Sequence, residues 1–169
     1  MYAPIEPLLA EMNMEAATTR RVLDRVPADR LDWRPHPKSL TLGELATQVA
    51  TIPGNVTKLL SANEVDMGTI KFEGWVTRPS EELSGVLDES VAAARAWLSG
   101  LDETSALATW RAHRGGKELF SAPRLALVRS LMLNHWYHHR GQLTVYLRQL
   151  DIPLPSVYGP TADENPFAA

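Results

Sequence analysis

The sequence predicts an all-α fold: a four-helix bundle with long crossover connections and a small extended or hairpin element near residues 104–120. Three observations predict it. Four segments carry apolar residues at alternating three- and four-residue spacings, the pattern of a helix with one buried face. No long run shows the strict alternation of a half-buried strand. The connectors at 27–40 and 63–79 are long and hold Pro27, Pro35, Pro37, Gly68, Gly74 and Pro79, which suits crossovers better than tight turns. With 169 residues, 44% of them hydrophobic and 22% charged, residues 1–169 read as a single domain that can bury its own core.

The first helix, about 4 to 26, carries Ile5, Leu8, Leu9, Met12, Ala16, Val22, Leu23 and Val26, and Pro27 stops it. In the second, Thr41 is an N-cap with Glu44 three residues on, a capping box. Leu42, Leu45, Val49, Ile52, Val56 and Leu59 follow as its stripe to about 62, and Pro53-Gly54 is expected to bend or divide it. Between 63 and 79 the chain reads as a loop with one extended piece around 70–72. Ser80 is expected to cap a third helix whose stripe is Leu83, Leu87, Val91, Ala94 and Leu98, ended by Gly100. Residues 104–120, with Trp110 and the turn Gly115-Gly116, suggest a short hairpin or an ordered loop. The last helix starts near Ser121-Ala122-Pro123 and runs to about 149, with Leu125, Val128, Met132, His135, His139, Gln142 and Tyr146 on one stripe. The proline-rich tail is expected to lie across the helices.

Several function classes are excluded or disfavoured at this level. A net charge of −3 and a pI near 5.9 give no global basic field for nucleic acid or an anionic membrane. No apolar run approaches the roughly 18 residues of a spanning helix. The N-terminal residues carry acids and no basic n-region, so a cytoplasmic protein is expected. The absence of cysteine removes disulfides, thiolate ligands and a cysteine nucleophile together.

Chemistry concentrates in Leu133–Leu143, LNHWYHHRGQL, which holds three of the five histidines. His135 and His139 lie four residues apart and therefore project from one helix face on successive turns. Burying two imidazoles side by side demands partners for their ring nitrogens. A divalent metal is one such partner; backbone carbonyls and carboxylates are the commoner ones. His138 falls off this stripe and is expected to face solvent or a helix flank. A third ligand must come from another helix, and Glu44 and Gln48, again four apart, flank the apolar stripe of the second. His36 and His113 are further candidates that read more simply as surface residues. The five tryptophans and Tyr137 read as packing residues.

These motifs resemble the DinB-like (DinB/YfiT-like) superfamily over nearly the whole chain. The resemblance rests on TLGELATQVA in the second helix and on HWYHHRGQLTVYLRQLDIPLPSVYG in the last. Histidine, three residues, then His-Arg-Gly-Gln falls on His135, His139, Arg140, Gly141 and Gln142, and the downstream Tyr-Gly on Tyr158-Gly159. The resemblance implies a left-handed bundle, often a homodimer, and a divalent metal, zinc or nickel, held by three histidines. One of the three is replaced: the family histidine of the second helix aligns with Gln48. An amide oxygen is a weaker ligand than imidazole for these ions, and losing even an outer partner of a metal site costs about 10–100-fold in affinity. Three arrangements follow: Gln48 ligates through its oxygen, Glu44 substitutes for it, or Gln48 hydrogen-bonds a histidine in a polar pocket that binds no metal. Among the remaining motif residues, Gly141 is expected to allow a close helix approach, Arg140 to pair with an acid or a dimer partner, Gln142 to bond toward the bundle centre, and Tyr158 to reach over the pocket mouth.

The expected function is a metal-dependent transferase or hydrolase acting on a small molecule. In the transferase case, a low-molecular-weight thiol must be a cosubstrate, because the chain has no thiol of its own. The alternative is a non-catalytic small-molecule binder or stress-associated dimer whose metal site is degraded by Gln48. Neither reading needs nucleic acid or a membrane.

Overall fold

The computed structural model describes residues 2–71 and 74–168. Among the described residues the chain is mostly helical and carries one small three-stranded sheet. In order, the elements are α1 (Ile5–Leu23), α2 (Leu42–Ser61), β1 (Glu64–Asp66), α3 (Leu83–Ser99), α4 (Glu103–Leu107), β2 (Thr109–Arg114), β3 (Lys117–Pro123), α5 (Arg124–Leu127), a π-helical run Val128–Asn134 and α6 (His135–Gln149). α2 packs against α3, the π-helical run and α6, while α1 lies on α3 and touches α2 and α6. Among the described residues no helix is long and apolar enough to cross a membrane.

The N-terminus of α2 is fixed as its sequence dictates. Thr41 Oγ1 accepts from the Glu44 N–H at 3.1 Å, and the Glu44 carboxylate accepts from the Thr41 N–H at 2.7 Å. Pro53 does not divide the helix, one of the two outcomes expected of it. A proline lacks the N–H that would bond the carbonyl four residues back, which here is that of Val49. The Trp136 indole N–H donates to this carbonyl at 2.8 Å and restores its partner. The next residue, Gly54, packs closely on α3. Its N–H donates to Ser90 Oγ at 2.8 Å, and a Cβ there would meet Ser90 Oγ and Cα at 3.1 and 3.2 Å. At the other end of α2, the buried Arg124 guanidinium donates to the Leu60 carbonyl at 2.9 Å and to Asn63 Oδ1 at 2.9 Å, satisfying a helix terminus.

Ser80 does not cap α3. It opens a 3₁₀ turn, Ser80–Glu82, and α3 begins behind it without a side-chain cap. The predicted stripe of α3 is buried along its whole length. The hairpin forms as expected: Gly115 and Gly116 both take positive φ, +56° and +79°, a turn that L side chains disfavour. Among the elements not foreseen, two stand beside the hairpin. α4 precedes the hairpin, and β1 adds to it in parallel, Val65 opposite Ala112. The extended piece expected around 70–72 is not a strand at Ile70 and Lys71, and Phe72 lies outside the described residues. Trp110 and Ala112 point from β2 into the core, and the Trp110 indole donates to the Leu59 carbonyl at 3.2 Å. The tail does cross the helices: Arg21 bonds the Ser156 carbonyl and Glu164, Arg148 pairs with Asp163, and Ile152, Leu154 and Val157 pack on the core.

Candidate functional site

The last helix does not keep one phase. Through Val128–Asn134 it is π-wound, with more residues per turn than an α-helix, so the buried line slips by one position. Upstream, Leu127, Val128 and Met132 are buried; downstream the buried line is Leu133, Trp136, Arg140, Leu143 and Leu147. The predicted stripe through His135, His139, Gln142 and Tyr146 therefore lies beside the core rather than in it. Both histidines are half-buried on a flank, His138 is exposed as expected, and Gln142 is exposed. Equal three- and four-residue spacings carry no mark of a π turn, so the sequence placed these residues one notch too deep.

His135 and His139 converge. Their Nε2 atoms lie 2.8 Å apart and the ring centroids 4.5 Å. The outward nitrogen of His139 decides its tautomer. His139 Nδ1 lies 2.7 Å from Gln142 Oε1, an acceptor, so it carries the proton. The Nε2 lone pair of His139 thus faces His135 Nε2, and a histidine that ligates a metal likewise donates its other N–H to a carbonyl or amide. For His135, burial lowers the pKa, and the backbone of Leu131 one turn back offsets part of that. Burial lowers the pKa of both rings, and charge on a neighbouring imidazole lowers it further, so the charged form of either ring is disfavoured.

Gln48 is the third side chain. Its Nε2–H donates toward His139 Nε2 at 3.2 Å, while its Oε1 is buried with no hydrogen-bond partner. An orphaned acceptor in such a place costs about 1–3 kcal/mol, and exchanging the two ends of the amide would turn this oxygen toward His139, where a cation held with the imidazoles would satisfy it. The donor set present, two nitrogens and one amide oxygen, fits a divalent ion. Glu44 lies one turn away on the same cavity wall, but its carboxylate is occupied at the helix cap. Among the described residues no group of three or more His, Cys, Asp or Glu stands close enough to hold a metal, so the family's three-histidine site is not reproduced by Glu44, His36 or His113. His36 is exposed and accepts from the Lys38 N–H; His113 sits on β2 near Glu64 and Asp66.

The other motif residues do different work from that expected. Gly141 is exposed and a Cβ there would meet nothing within 4 Å, so no close helix approach depends on it; Gly54 has that part. Tyr158 does not cover the pocket. Its hydroxyl accepts from Arg140 at 2.6 Å and donates to Glu15 at 3.1 Å. Arg140 is almost fully buried, pairs with Glu15 at 2.6 Å, donates to Thr19 Oγ1 at 3.1 Å and lies between the rings of Tyr137 and Tyr158. It pairs with an acid of its own chain, as one of the two expected partners. Gln142 bonds His139 instead of reaching the centre. Tyr137 donates to Glu11 at 2.9 Å, and burial with this acid raises its pKa.

Two cavities meet at the histidine pair. One, of about 530 Å³, runs along α2 past Thr47, Thr51, Ile52 and Val56 to Leu59; the other, of about 450 Å³, lies toward Ser39, Gln142 and Tyr146. They share Gln48, Trp75 and His135. Sequence reasoning missed the segment 74–78, which supplies Trp75, Val76 and Arg78 to the walls, because a loop carries no periodicity. One signal was available: Thr47, Thr51 and Asn55 recur every four residues beside the apolar stripe of α2 and mark a polar face directed at something other than core.

The DinB family profile matches residues 1–165. The chain is 25% identical over 166 residues to the uncharacterised protein YrdA of Bacillus subtilis, covering 97% of this chain and 93% of that one. Among solved structures, it superposes on the DinB-like protein YjoA of Bacillus subtilis with a TM-score of 0.67 at 19% identity, covering 89% and 97% of the two chains. A DinB-like protein from Bacillus cereus gives 0.66 at 24% identity, covering 90% and 97%.

Proposed function

The chain belongs to the DinB family, and from that membership and its site we propose that it uses a divalent metal held by His135, His139 and Gln48 to transform a small molecule as a transferase or hydrolase. The finer architecture, a left-handed four-helix bundle closed by a long crossover and paired as a homodimer, belongs to the same proposal. The observation that carries it is the pair of Nε2 atoms, 2.8 Å apart, with His139 Nδ1–H held by Gln142 Oε1 and the buried Gln48 Oε1 left without a hydrogen-bond partner. When bound, zinc or nickel would supply Lewis acidity that brings a weakly acidic O–H or S–H group toward ionisation near neutral pH. The remaining work belongs to the protein. The π-helical run sets the angle at which the histidines leave the core, Gln142 fixes one ring, and the apolar walls along α2 exclude water from the reacting end of the substrate. A low-molecular-weight thiol is the cosubstrate in the transferase version.

The test uses protein purified without a polyhistidine tag. Zinc or nickel at 100 times its dissociation constant stabilises by about 2.7 kcal/mol, which at this chain length raises Tm by roughly 5–11 °C. Gln48→His should tighten binding by about 10-fold or more, and His135→Gln should abolish the response. Protein that shows neither bound metal nor a thermal shift with zinc, nickel or manganese ends the metal reading. A shift gained only on Gln48→His favours the non-catalytic binder instead.

A further inference from the structure

The cavity along α2 has a direction that the metal proposal does not use. At the N-terminal end of α2 it is walled by Glu44, Thr47 and Arg78; beyond the histidine pair its wall becomes Ile52, Val56 and Leu59. Between Glu44 and Leu59 the helix rises about 22 Å at 1.5 Å per residue, so the cavity is long relative to its width. Its volume of about 530 Å³ is within the range of small-molecule sites. Val76, 60% exposed, and the Trp75 ring give the outer wall apolar surface beside a half-buried imidazole.

The charges at the polar end are unequal in availability. The Glu44 carboxylate accepts from the Thr41 N–H at 2.7 Å and is turned to the helix cap. Arg78 is anchored by its backbone, whose N–H donates to Thr47 Oγ1 at 2.8 Å, one residue from Gln48. Its guanidinium is half-exposed and lies 3.8 Å from the Glu82 carboxylate, beyond hydrogen-bonding distance. A fixed backbone with a loosely held guanidinium can take a carboxylate in a two-pronged contact.

We propose that this cavity binds a small amphiphile: an apolar chain or ring along Ile52, Val56 and Leu59, an anionic end at Arg78, and its reactive bond held between them beside His135. The inference rests on the reading that the histidine pair acts on a small molecule, and names the class of that molecule. A monoanion of this shape places its charge at Arg78 and its greasy part along the apolar wall.

The experiment titrates octanoate, octanol and octylamine into the full chain, stripped of metal with chelator, by calorimetry. Octanoate binds one to one and more tightly than octanol by about fivefold, the scale of a half-exposed charged contact, and octylamine binds weakest. Arg78→Gln removes the octanoate advantage and leaves octanol unchanged. Asn55→Trp, at an exposed position on the cavity rim, weakens all three; Thr51→Phe does the same should the first fail to fold. Absence of saturable binding by every octyl compound overturns the proposal, as does octylamine binding as well as octanoate, or binding that both cavity-filling variants leave intact. The zinc-induced thermal shift, measured on the same preparation, separates the two readings. A lost octanoate site with a normal zinc response ends this inference alone, whereas octanoate binding without any metal response ends the catalytic reading and keeps the amphiphile site.

Discussion

Replacing Trp136 by phenylalanine tests how α2 survives a proline in its middle. The substitution removes the indole N–H that donates to the Val49 carbonyl at 2.8 Å. Because residue 53 is proline, that carbonyl has no helical partner to fall back on, and an orphaned buried acceptor costs about 1–3 kcal/mol. Trimming the fully buried bicyclic ring to a phenyl adds a packing loss of about 1–2 kcal/mol, well below full truncation to alanine. The expected cost is therefore about 2–5 kcal/mol. The decisive step is the second background. In Pro53→Ala the new N–H can bond Val49, so Trp136→Phe should now cost only its packing part. The cycle should show a coupling of about 1–3 kcal/mol, whatever Pro53→Ala does by itself. Urea denaturation of the four proteins at constant m reads this as a midpoint difference. Additivity within about 0.5 kcal/mol would refute the reasoning, since it would mean that the carbonyl never depended on the indole.

Arg140→Met should destabilise by about 3–5 kcal/mol, because it leaves the Glu15 carboxylate nearly buried without its partner; Glu15→Gln in the same chain should recover part of the loss, and chemical denaturation measures both. Gly54→Ala should cost about 1–3 kcal/mol by forcing α2 off Ser90. Gly141→Ala should instead stabilise by up to about 1 kcal/mol, since its Cβ meets only open space and alanine is the better helix former. The hydrogen bond from Arg129 holds the Glu11 carboxyl below its ordinary range. A group depressed in the folded state contributes stability that is present above its unfolded pKa and is lost as pH falls through its folded one. Glu11→Gln should therefore flatten the acid limb of the stability profile, most visibly below about pH 4.5, the ordinary value; an unchanged limb in denaturation curves from pH 7 to pH 3 would contradict this.

Local chemistry settled the parts of this molecule that depend on neighbours in the chain. The Thr41–Glu44 capping box, the buried line of α3, the Gly115-Gly116 turn and the four-residue spacing of His135 and His139 all follow from residues within one or two turns of each other. The amphipathic pattern also indicated a mostly helical chain and gave two imidazoles on one helix face. It could not give their depth. That was decided by the π winding of Val128–Asn134, which leaves no periodic trace. The same holds for the Trp136 bond that keeps α2 whole across Pro53, for the parallel pairing of β1 with β2, and for the meeting of Gln48 with His139, 91 residues apart. Each depends on two segments arriving together, and a sequence read along its length records what a residue can do, whereas only the packed chain decides which partner it finds.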